Sequence, residues 1–415
     1  MTLIKTSLFN SIAVLVKILT LLGINKILAV YVGPAGYAAL GQFQNAMTII
    51  TTFASGALNT GVTKYTAEYV EDELKQITIW KTAGTLAIGI SVLFSLLVAV
   101  FSVPLAKLFL GDAAYASVFL CFSVALSFFV LNALLLAILV GKKEVPRYVM
   151  ANIVGSLLSI GFVFYFVMLW GAYGALIALA TFQSVAFFIT LIICWNLKWF
   201  KISNFYGKID KGAAKNLSKF ALMAIVSAAC VPVSQILVRQ YVVQNLGVES
   251  AGYWEALWRL SSAYLMLVTT VLSVYYLPKL AELKTHAGLR SEIVNGAKII
   301  VPVTIVGAVS IYALRVFIVE MLFSKQFLPI EEIMGWQLFG DVLKIASWLV
   351  AYVFISRAEF KIFIFIEIFF SITFVLLSML LVSEYGLVGG AYAHIVNYVV
   401  CLIFVMYKFS KLKVL

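Results

Sequence analysis

Runs of about 20 or more apolar residues alternate with short polar segments from one end of the chain to the other. A transmembrane helix needs about 20 apolar residues, whereas the strands of a membrane barrel alternate apolar and polar residues at every second position. The pattern therefore predicts an all-α polytopic membrane protein. We place twelve transmembrane helices at residues 6–31, 38–63, 78–103, 114–140, 147–170, 173–197, 214–245, 252–278, 294–322, 330–356, 361–383 and 387–408.

Composition and charge support this interpretation. The chain is 63% hydrophobic and 12% charged, whereas a soluble domain carries about 25% charged residues. Of the 30 Lys and Arg residues, 22 lie at the amino end, in alternate loops or in the tail, and the opposite loops contain only Lys107 and Lys325. Loops rich in Lys and Arg remain in the cytoplasm. Both termini are therefore predicted to be cytoplasmic, and the net charge of +12 marks one membrane face rather than a nucleic-acid site.

The two halves of the chain repeat each other. The sequence WGAYGALIA at 170–178 matches YGLVGGAYA at 385–393, and VGKKE at 140–144 matches ISRAE at 355–359, both at an offset of 215. Since each half would contain six helices, an even number, the two repeats enter the membrane in the same orientation. The repeat predicts two pseudo-symmetric six-helix bundles, an N-terminal one at 1–205 and a C-terminal one at 206–415.

The stretch 336–344, WQLFGDVLK, places an acid and a base near the centre of the tenth predicted helix. An ionised side chain at mid-membrane costs about 2.5–3.5 kcal/mol on insertion scales. Asp341 and Lys344 are three residues apart and share a helix face. Two interpretations follow: the two charges neutralise each other, or this face borders a wet interior. Only one half of the repeat carries such a pair, which favours a working site.

The predicted spans contain more cations than acids, which favours an anionic cargo. Arg239 and Arg315 either extend to the outer headgroups or line a cavity, and Glu255 and Arg259 are spaced to pair four residues apart. Lys17 has no charged neighbour in sequence, which favours a cavity position. Lys17 and Lys26 point to opposite sides of an ideal helix unless Gly23 bends it. The embedded charges are Lys17, Lys26, Arg239, Arg259, Arg315, Lys344, Glu255, Asp341 and Glu367.

Several kinds of chemistry are not indicated by the sequence. The chain has no GxxxxGK[ST] loop for nucleotide phosphates and no CxxC pair. Its two histidines, His286 and His394, are too few for a metal cluster. We therefore expect a transporter rather than an enzyme, with no cofactor and no metal.

Several motifs, in order along nearly the whole chain, resemble those of the Wzx-type flippases for O-antigen and lipid III, the polysaccharide transporter branch of the MOP/MATE-like exporter superfamily. The motifs are LVK at 15–17, GPAG at 33–36, GVTKY at 61–65, LSKF at 217–220, YLP at 276–278, WQL at 336–338 and GDVLK at 340–344. The resemblance implies twelve helices in two bundles and a cationic central cavity. It also implies alternating access in the bacterial inner membrane, coupled to an H⁺ or Na⁺ gradient.

The cargo that the resemblance implies is an undecaprenyl-diphosphate-linked oligosaccharide, such as an O-antigen or enterobacterial common antigen repeat unit, moved from the inner to the outer leaflet. Besides membrane lipids, the implied partners are a glycan polymerase and a chain-length regulator. The candidates for diphosphate or glycan binding are Lys17, Lys26, Arg239, Arg259 and Lys344, and those for ion coupling or cation pairing are Asp341, Glu255 and Glu367.

Two other functions remain open. A cation-coupled multidrug antiporter would handle mostly cationic cargo and would need embedded acids, whereas this chain has an excess of embedded Lys and Arg. A scaffold for glycan polymerisation without transport gives no reason to retain costly charges inside the membrane.

Overall fold

Helices form almost the whole of the computed structural model, which describes residues 3–283, 285–357 and 359–412, without the side chains of 3–15, 17, 219, 220, 222, 223, 274 and 278. No strand occurs within these residues. The helices are α1 (Leu3–Ala54), α2 (Asn59–Glu68), α3 (Glu73–Val100), α4 (Ser102–Leu110), α5 (Ala116–Gly141), α6 (Val145–Trp195), α7 (Lys211–Leu246), α8 (Val248–Val271), α9 (Leu277–Glu282), α10 (His286–Ala313), α11 (Arg315–Leu322), α12 (Glu331–Ser356), α13 (Phe360–Tyr385) and α14 (Leu387–Ser410).

Nine helices of the described residues are long and apolar enough to cross a membrane. Two of them, α1 and α6, each cover two predicted spans. The backbone of α1 leaves the helical region at Gly33, and that of α6 does so at Trp170 and Gly171. The eighth predicted span corresponds mainly to α8, which carries Glu255 and Arg259 and is not among the nine. The count of twelve spans therefore stays a prediction.

The sequence repeat reappears in the backbone geometry. Gly171 and Gly386, at matching positions of the repeat, have φ angles of +55° and +62°, which side chains with a Cβ atom rarely adopt. Three residues later in each half, Gly174 and Gly389 lie directly against a backbone carbonyl, that of Phe166 and that of Leu381 respectively. Both halves thus use one glycine to turn the chain and a second to let two helices touch.

The chain forms two compact units. The first comprises Met1–Val32 and Ala39–Pro232, and the second comprises Gly33–Ala38 and Val233–Leu415. The second unit therefore includes a six-residue segment from within α1. The division into helix bundles at residues 205 and 206 stays a prediction, because these units are defined by packing and not by helix number.

In the first unit, the segment that follows α6 packs against α3. The indole of Trp80 contacts the indole of Trp199, with ring centroids 5.6 Å apart, and the ring of Phe205, with centroids 6.3 Å apart. Gly84 lies against the backbone carbonyl of Phe205, where a Cβ atom would overlap it. The longest predicted loop is thus held on the helix by aromatic packing and by a glycine.

In the second unit, the packed interior near the start of α8 is built from α7, α8, α13 and α14. Trp254 is fully buried and stacks on Phe374, with ring centroids 6.3 Å apart. Gly390 of α14 lies against the same indole. Arg239, Glu255 and Arg259 lie on two of the helices that form this interior.

Candidate functional site

The WQLFGDVLK stretch is helical and lies in α12, with two different faces. Gln337, Gly340 and Asp341 are buried, whereas Trp336 and Phe339 are about half exposed. Residues three and four apart share a helix face, which explains the alternation. The exposed aromatic rings suit a lipid-facing surface, and the polar residues turn towards the interior of the second unit.

The carboxylate of Asp341 is fully buried and accepts two hydrogen bonds. Tyr264 of α8 donates its hydroxyl to Oδ2 over 3.0 Å, and Nε2 of His394 on α14 lies 3.0 Å from Oδ1. A buried ionised group is costly unless it is paired or hydrogen-bonded. Here each carboxylate oxygen has a partner from a different helix, so the site depends on the packing of three helices.

The ammonium of Lys344 lies among aromatic rings. Its Nζ is 5.0 Å from the ring centroid of Trp348, 5.4 Å from that of Trp258 and 5.9 Å from that of Tyr398. A cation within about 6 Å of an aromatic face is attracted by the ring quadrupole, an attraction worth about 0.5–2 kcal/mol. The half-buried lysine is therefore held by rings from α8, α12 and α14.

The interpretation in which Asp341 and Lys344 neutralise each other as an ion pair is wrong. Among the described side chains, no ion pair of 4.0 Å or less joins them. Tyr264 and His394 each bond one oxygen of the carboxylate, whereas the ammonium of Lys344 lies among three aromatic rings. The acid and the base share a helix but have separate environments, although their charges still interact at longer range.

A second buried cluster joins α7 and α8. Glu255 accepts hydrogen bonds from Arg239 through Nη2, and from Arg259 through Nε over 2.7 Å. The side chain of Arg239 is only 2% exposed. The formal charges of these three side chains sum to +1. Arg239 therefore does not extend to headgroups, and Glu255 pairs with Arg259 as its spacing predicted.

The segment Gly33–Ala38 completes this cluster. The ring of Tyr37, which is fully buried, lies 4.8 Å from the guanidinium carbon of Arg259. It also packs edge-on against Phe323 and Phe327, with centroids 5.9 and 5.3 Å away. Gly252 lies against the backbone carbonyl of Pro34, where no Cβ atom would fit.

The other predicted residues are dispersed. Glu367 lies half-buried on α13 within electrostatic range of Lys344. Arg315 begins α11 near the surface and pairs with Glu331, with 3.7 Å between Nε and Oε2. Lys26 lies half-buried on α1 in the first unit. The side chain of Lys17 lies outside the described residues. The backbone of α1 is helical at Gly23 and breaks at Gly33 instead.

Five residues of the site were not identified from the sequence. They contact Asp341 or Lys344, and they are His394, Tyr264, Trp258, Trp348 and Tyr398. In the sequence, the two histidines stand out only as too few for a metal cluster. A histidine inside an apolar helix is by itself a functional signal, because ionisable residues in membrane spans are rare.

The arrangement provides positive charge and titratable groups inside a membrane protein. In the part of the chain that the structure describes, no three His, Cys, Asp or Glu side chains come together as a metal site. Gln337 adds a neutral donor, with its Nε2 3.4 Å from the hydroxyl of Ser261. Such groups are suited to binding an anion or exchanging a small cation.

Comparison with known sequences gives a consistent result. Residues 3–284 match the family described as polysaccharide biosynthesis protein. The lipid III flippases of Escherichia coli (strain K12) and Shigella flexneri are each 28% identical over 413 residues, covering 98% of this chain and 99% of the relative. These matches confirm the resemblance that the motifs indicated.

Comparison with solved structures shows the fold. A multidrug resistance MATE family transporter of the MOP superfamily, in its inward-facing conformation, matches with a TM-score of 0.78 and 16% identity over 95% of each chain. The lipid II flippase MurJ in its inward closed conformation matches with a TM-score of 0.73 and 15% identity, covering 98% of this chain and 87% of that one. The predicted all-α, MOP/MATE-like membrane fold is confirmed.

Proposed function

The chain belongs to the polysaccharide biosynthesis protein family, and on that premise we propose that it is a flippase for an undecaprenyl-diphosphate-linked oligosaccharide. The cargo is a repeat unit of the lipid III type, as in O-antigen or enterobacterial common antigen assembly. It moves from the inner to the outer leaflet of the bacterial inner membrane by alternating access, driven by an H⁺ or Na⁺ gradient.

The observation that carries this proposal is the end-to-end similarity to two proteins named lipid III flippases. The match covers 98% of this chain and 99% of each relative, so it includes both the N-terminal and the C-terminal helices. Similarity of one segment alone would support only a shared module. Similarity across the full length supports a shared transport task.

The buried charges support an anionic cargo. The formal charges of Arg239, Arg259 and Glu255 sum to +1, and Lys344 adds a cation that has no carboxylate within 4.0 Å among the described side chains. Guanidinium groups bind phosphate oxygens through paired N–H donors, and an ammonium acts as a point charge. In our proposal these three cations, with Lys17 and Lys26 from the first unit, attract the diphosphate during the transport cycle.

The acids take different roles in this proposal. Glu255 accepts hydrogen bonds from two arginines and serves as their partner. Asp341 and Glu367 are the candidates for ion coupling. Because Asp341 shares a helix with Lys344, a change in its charge alters the potential at the proposed phosphate contact.

The topology proposed for the chain follows from its loops. Lys and Arg concentrate in the alternate loops and at both ends, and the positive-inside tendency puts such loops in the cytoplasm. Both termini are then cytoplasmic, and a glycan polymerase and a chain-length regulator would receive the cargo on the opposite side.

The test is glycan display in cells that lack this gene. The intact gene should restore display and remove the lipid-linked glycan that accumulates in the inner leaflet. Lys344→Gln and Lys17→Ala should each lower display by about tenfold or more, since one well-placed charge contact is worth about 1.4–3 kcal/mol. Lys107→Ala, in a loop that the proposal places outside, is the matched control.

Two results would contradict the proposal. If both substituted proteins reach normal membrane levels and restore display as fully as the intact protein, the cations do not bind the cargo. If cells without the gene make normal glycan but lose the ability to expel cationic dyes, the chain is a cation-coupled multidrug antiporter.

A further inference from the structure

We propose that His394 and Asp341 form a proton-binding site, with Nδ1 of His394 as the atom that receives the proton. The inference rests on the proposed function only for its biological use, since proton binding itself is a property of the protein without cargo. It identifies the coupling ion as H⁺ and assigns the role to a residue that the sequence did not single out.

The tautomer of His394 follows from its neighbour. Nε2 lies 3.0 Å from Oδ1 of Asp341, and an ionised carboxylate can only accept a hydrogen bond. With Asp341 ionised, Nε2 carries the hydrogen and donates it to Oδ1. The other ring nitrogen, Nδ1, is buried and has no hydrogen-bond partner among the described residues. In the neutral imidazole this atom holds a free lone pair, which makes it the proton acceptor.

The ring is held in one place. Its centroid lies 4.9 Å from that of Tyr398 and 5.1 Å from that of Trp258, both edge-on. Gly340 lies against the imidazole carbon Cδ2, and any side chain at this position would overlap it. A fully buried histidine is therefore aligned with Asp341 by packing on three sides.

A proton fits this site better than a sodium ion. Hard cations take several oxygen ligands from carboxylates, carbonyls and water. Both oxygens of Asp341 already accept hydrogen bonds, from Tyr264 and from His394. Within the described residues no group of three His, Cys, Asp or Glu side chains surrounds Asp341 to complete such a ligand shell, whereas a proton adds to Nδ1 and leaves both hydrogen bonds of Asp341 in place.

Binding the proton changes the local charge by +1. The resulting imidazolium is balanced by the carboxylate of Asp341 and repelled by the ammonium of Lys344. Asp341 and Lys344 on α12 interact electrostatically with the ring, Tyr398 on α14 packs against it, and Tyr264 on α8 binds the same carboxylate. Glu367 on α13 interacts with Lys344, and Cys401 on α14 interacts with Tyr398. Protonation of His394 therefore raises the electrostatic potential at Lys344, the proposed phosphate contact in the same unit.

Histidine NMR tests the inference directly, because the chain has only two histidines. His286 begins α10, where its ring stacks on Phe409. The protein is labelled with ¹⁵N-histidine, placed in lipid nanodiscs without cargo and titrated from about pH 8 to pH 5, the range in which histidine changes charge. His286→Gln identifies the signal of His394.

We expect Nδ1 of His394 to change from unprotonated to protonated within this range, with Nε2 protonated throughout. In Asp341→Asn the change should be absent, because no carboxylate balances the imidazolium, while the unchanged His286 signal shows that the protein is folded. Replacing K⁺ by Na⁺ at constant ionic strength should leave the titration unaltered.

Three outcomes would overturn the inference: no protonation of Nδ1 across the range, an unaltered titration in Asp341→Asn, or a titration that Na⁺ displaces. Each is measured without cargo, so none depends on the proposed function. If His394 titrates as expected but the protein does not restore glycan display, the proposed function fails and the proton site stands. If display is restored but Nδ1 does not titrate, the proton site fails and the proposed function stands.

Discussion

Gly340 and His394 lie on adjacent helices with no room for a further atom between them. A Cβ atom at Gly340 would overlap Cδ2 of the imidazole. The imidazole is in turn hydrogen-bonded to Asp341, the next residue along the same helix as the glycine. The close approach of α12 and α14 therefore sets the distance between the acid and its partner.

The first prediction concerns this contact. Gly340→Ala should push His394 away from Asp341, lower stability by about 1–3 kcal/mol through overpacking, and reduce glycan display at equal membrane levels. Gly307→Ala is the control, because a Cβ atom there meets nothing within 4 Å. Thermal unfolding in detergent and display in complemented cells are the measurements. Equal behaviour of the two variants would contradict the role of the contact.

The second prediction concerns Glu255. Glu255→Gln removes the carboxylate that Arg239 and Arg259 share, and the loss of one partner from a buried pair costs about 3–5 kcal/mol. We expect a large fall in thermal stability. Glu282→Gln is the matched control, since its side chain is 71% exposed and lies 3.7 Å from Lys279. Such exposed pairs are worth at most about 1 kcal/mol. A small effect at Glu255 would mean that water reaches the arginines.

The third prediction concerns the repeated glycines. Gly174→Ala and Gly389→Ala each force a methyl group against a backbone carbonyl, which cannot rotate away as a side chain can. Both should lower stability by about 3 kcal/mol or more, at the upper end of overpacking costs. Gly161→Ala, where a Cβ atom meets nothing within 4 Å, should be neutral or stabilising. If only one of these two substitutions lowers stability, the close helix contact at the repeated glycine matters in only one half of the chain.

The fourth prediction concerns the segment that follows α6. Gly84→Ala would overlap the carbonyl of Phe205 and detach this segment from α3, so trypsin should cleave faster at Lys201 and Lys208. Gly89→Ala, five residues further along the same helix, meets nothing within 4 Å and serves as the control. Cleavage rates are read from fragments separated by size. Identical rates would show that the close approach at Gly84 is not needed to hold the segment.

The membrane class, the helix positions and the repeat could be predicted from the sequence because their signals are local. Apolar runs mark helices, and the spacing of Gly171 from Gly174 recurs in Gly386 and Gly389. The pairing of Glu255 with Arg259 was accessible for the same reason, since both lie on one turn of one helix.

The long-range contacts could not be predicted in this way. His394 is 53 residues from Asp341 and Arg239 is 16 from Glu255, so both contacts depend on how helices pack. The short separation of Asp341 and Lys344 suggested an ion pair, but the carboxylate is hydrogen-bonded by Tyr264 and His394, which are distant in sequence. Sequence spacing identifies which side chains can meet and does not rank them against partners from other helices.

The inclusion of Gly33–Ala38 in the second unit has a consequence for how the protein is made. Tyr37 leaves the ribosome long before Phe323 and Phe327, the rings against which it packs. At a synthesis rate of about 5–20 residues per second, the interval amounts to tens of seconds. During this time the rings against which Tyr37 packs have not yet been synthesised. The packing around Tyr37 therefore cannot form until the chain has been made as far as Phe327, about halfway through the 233–415 segment of the second unit.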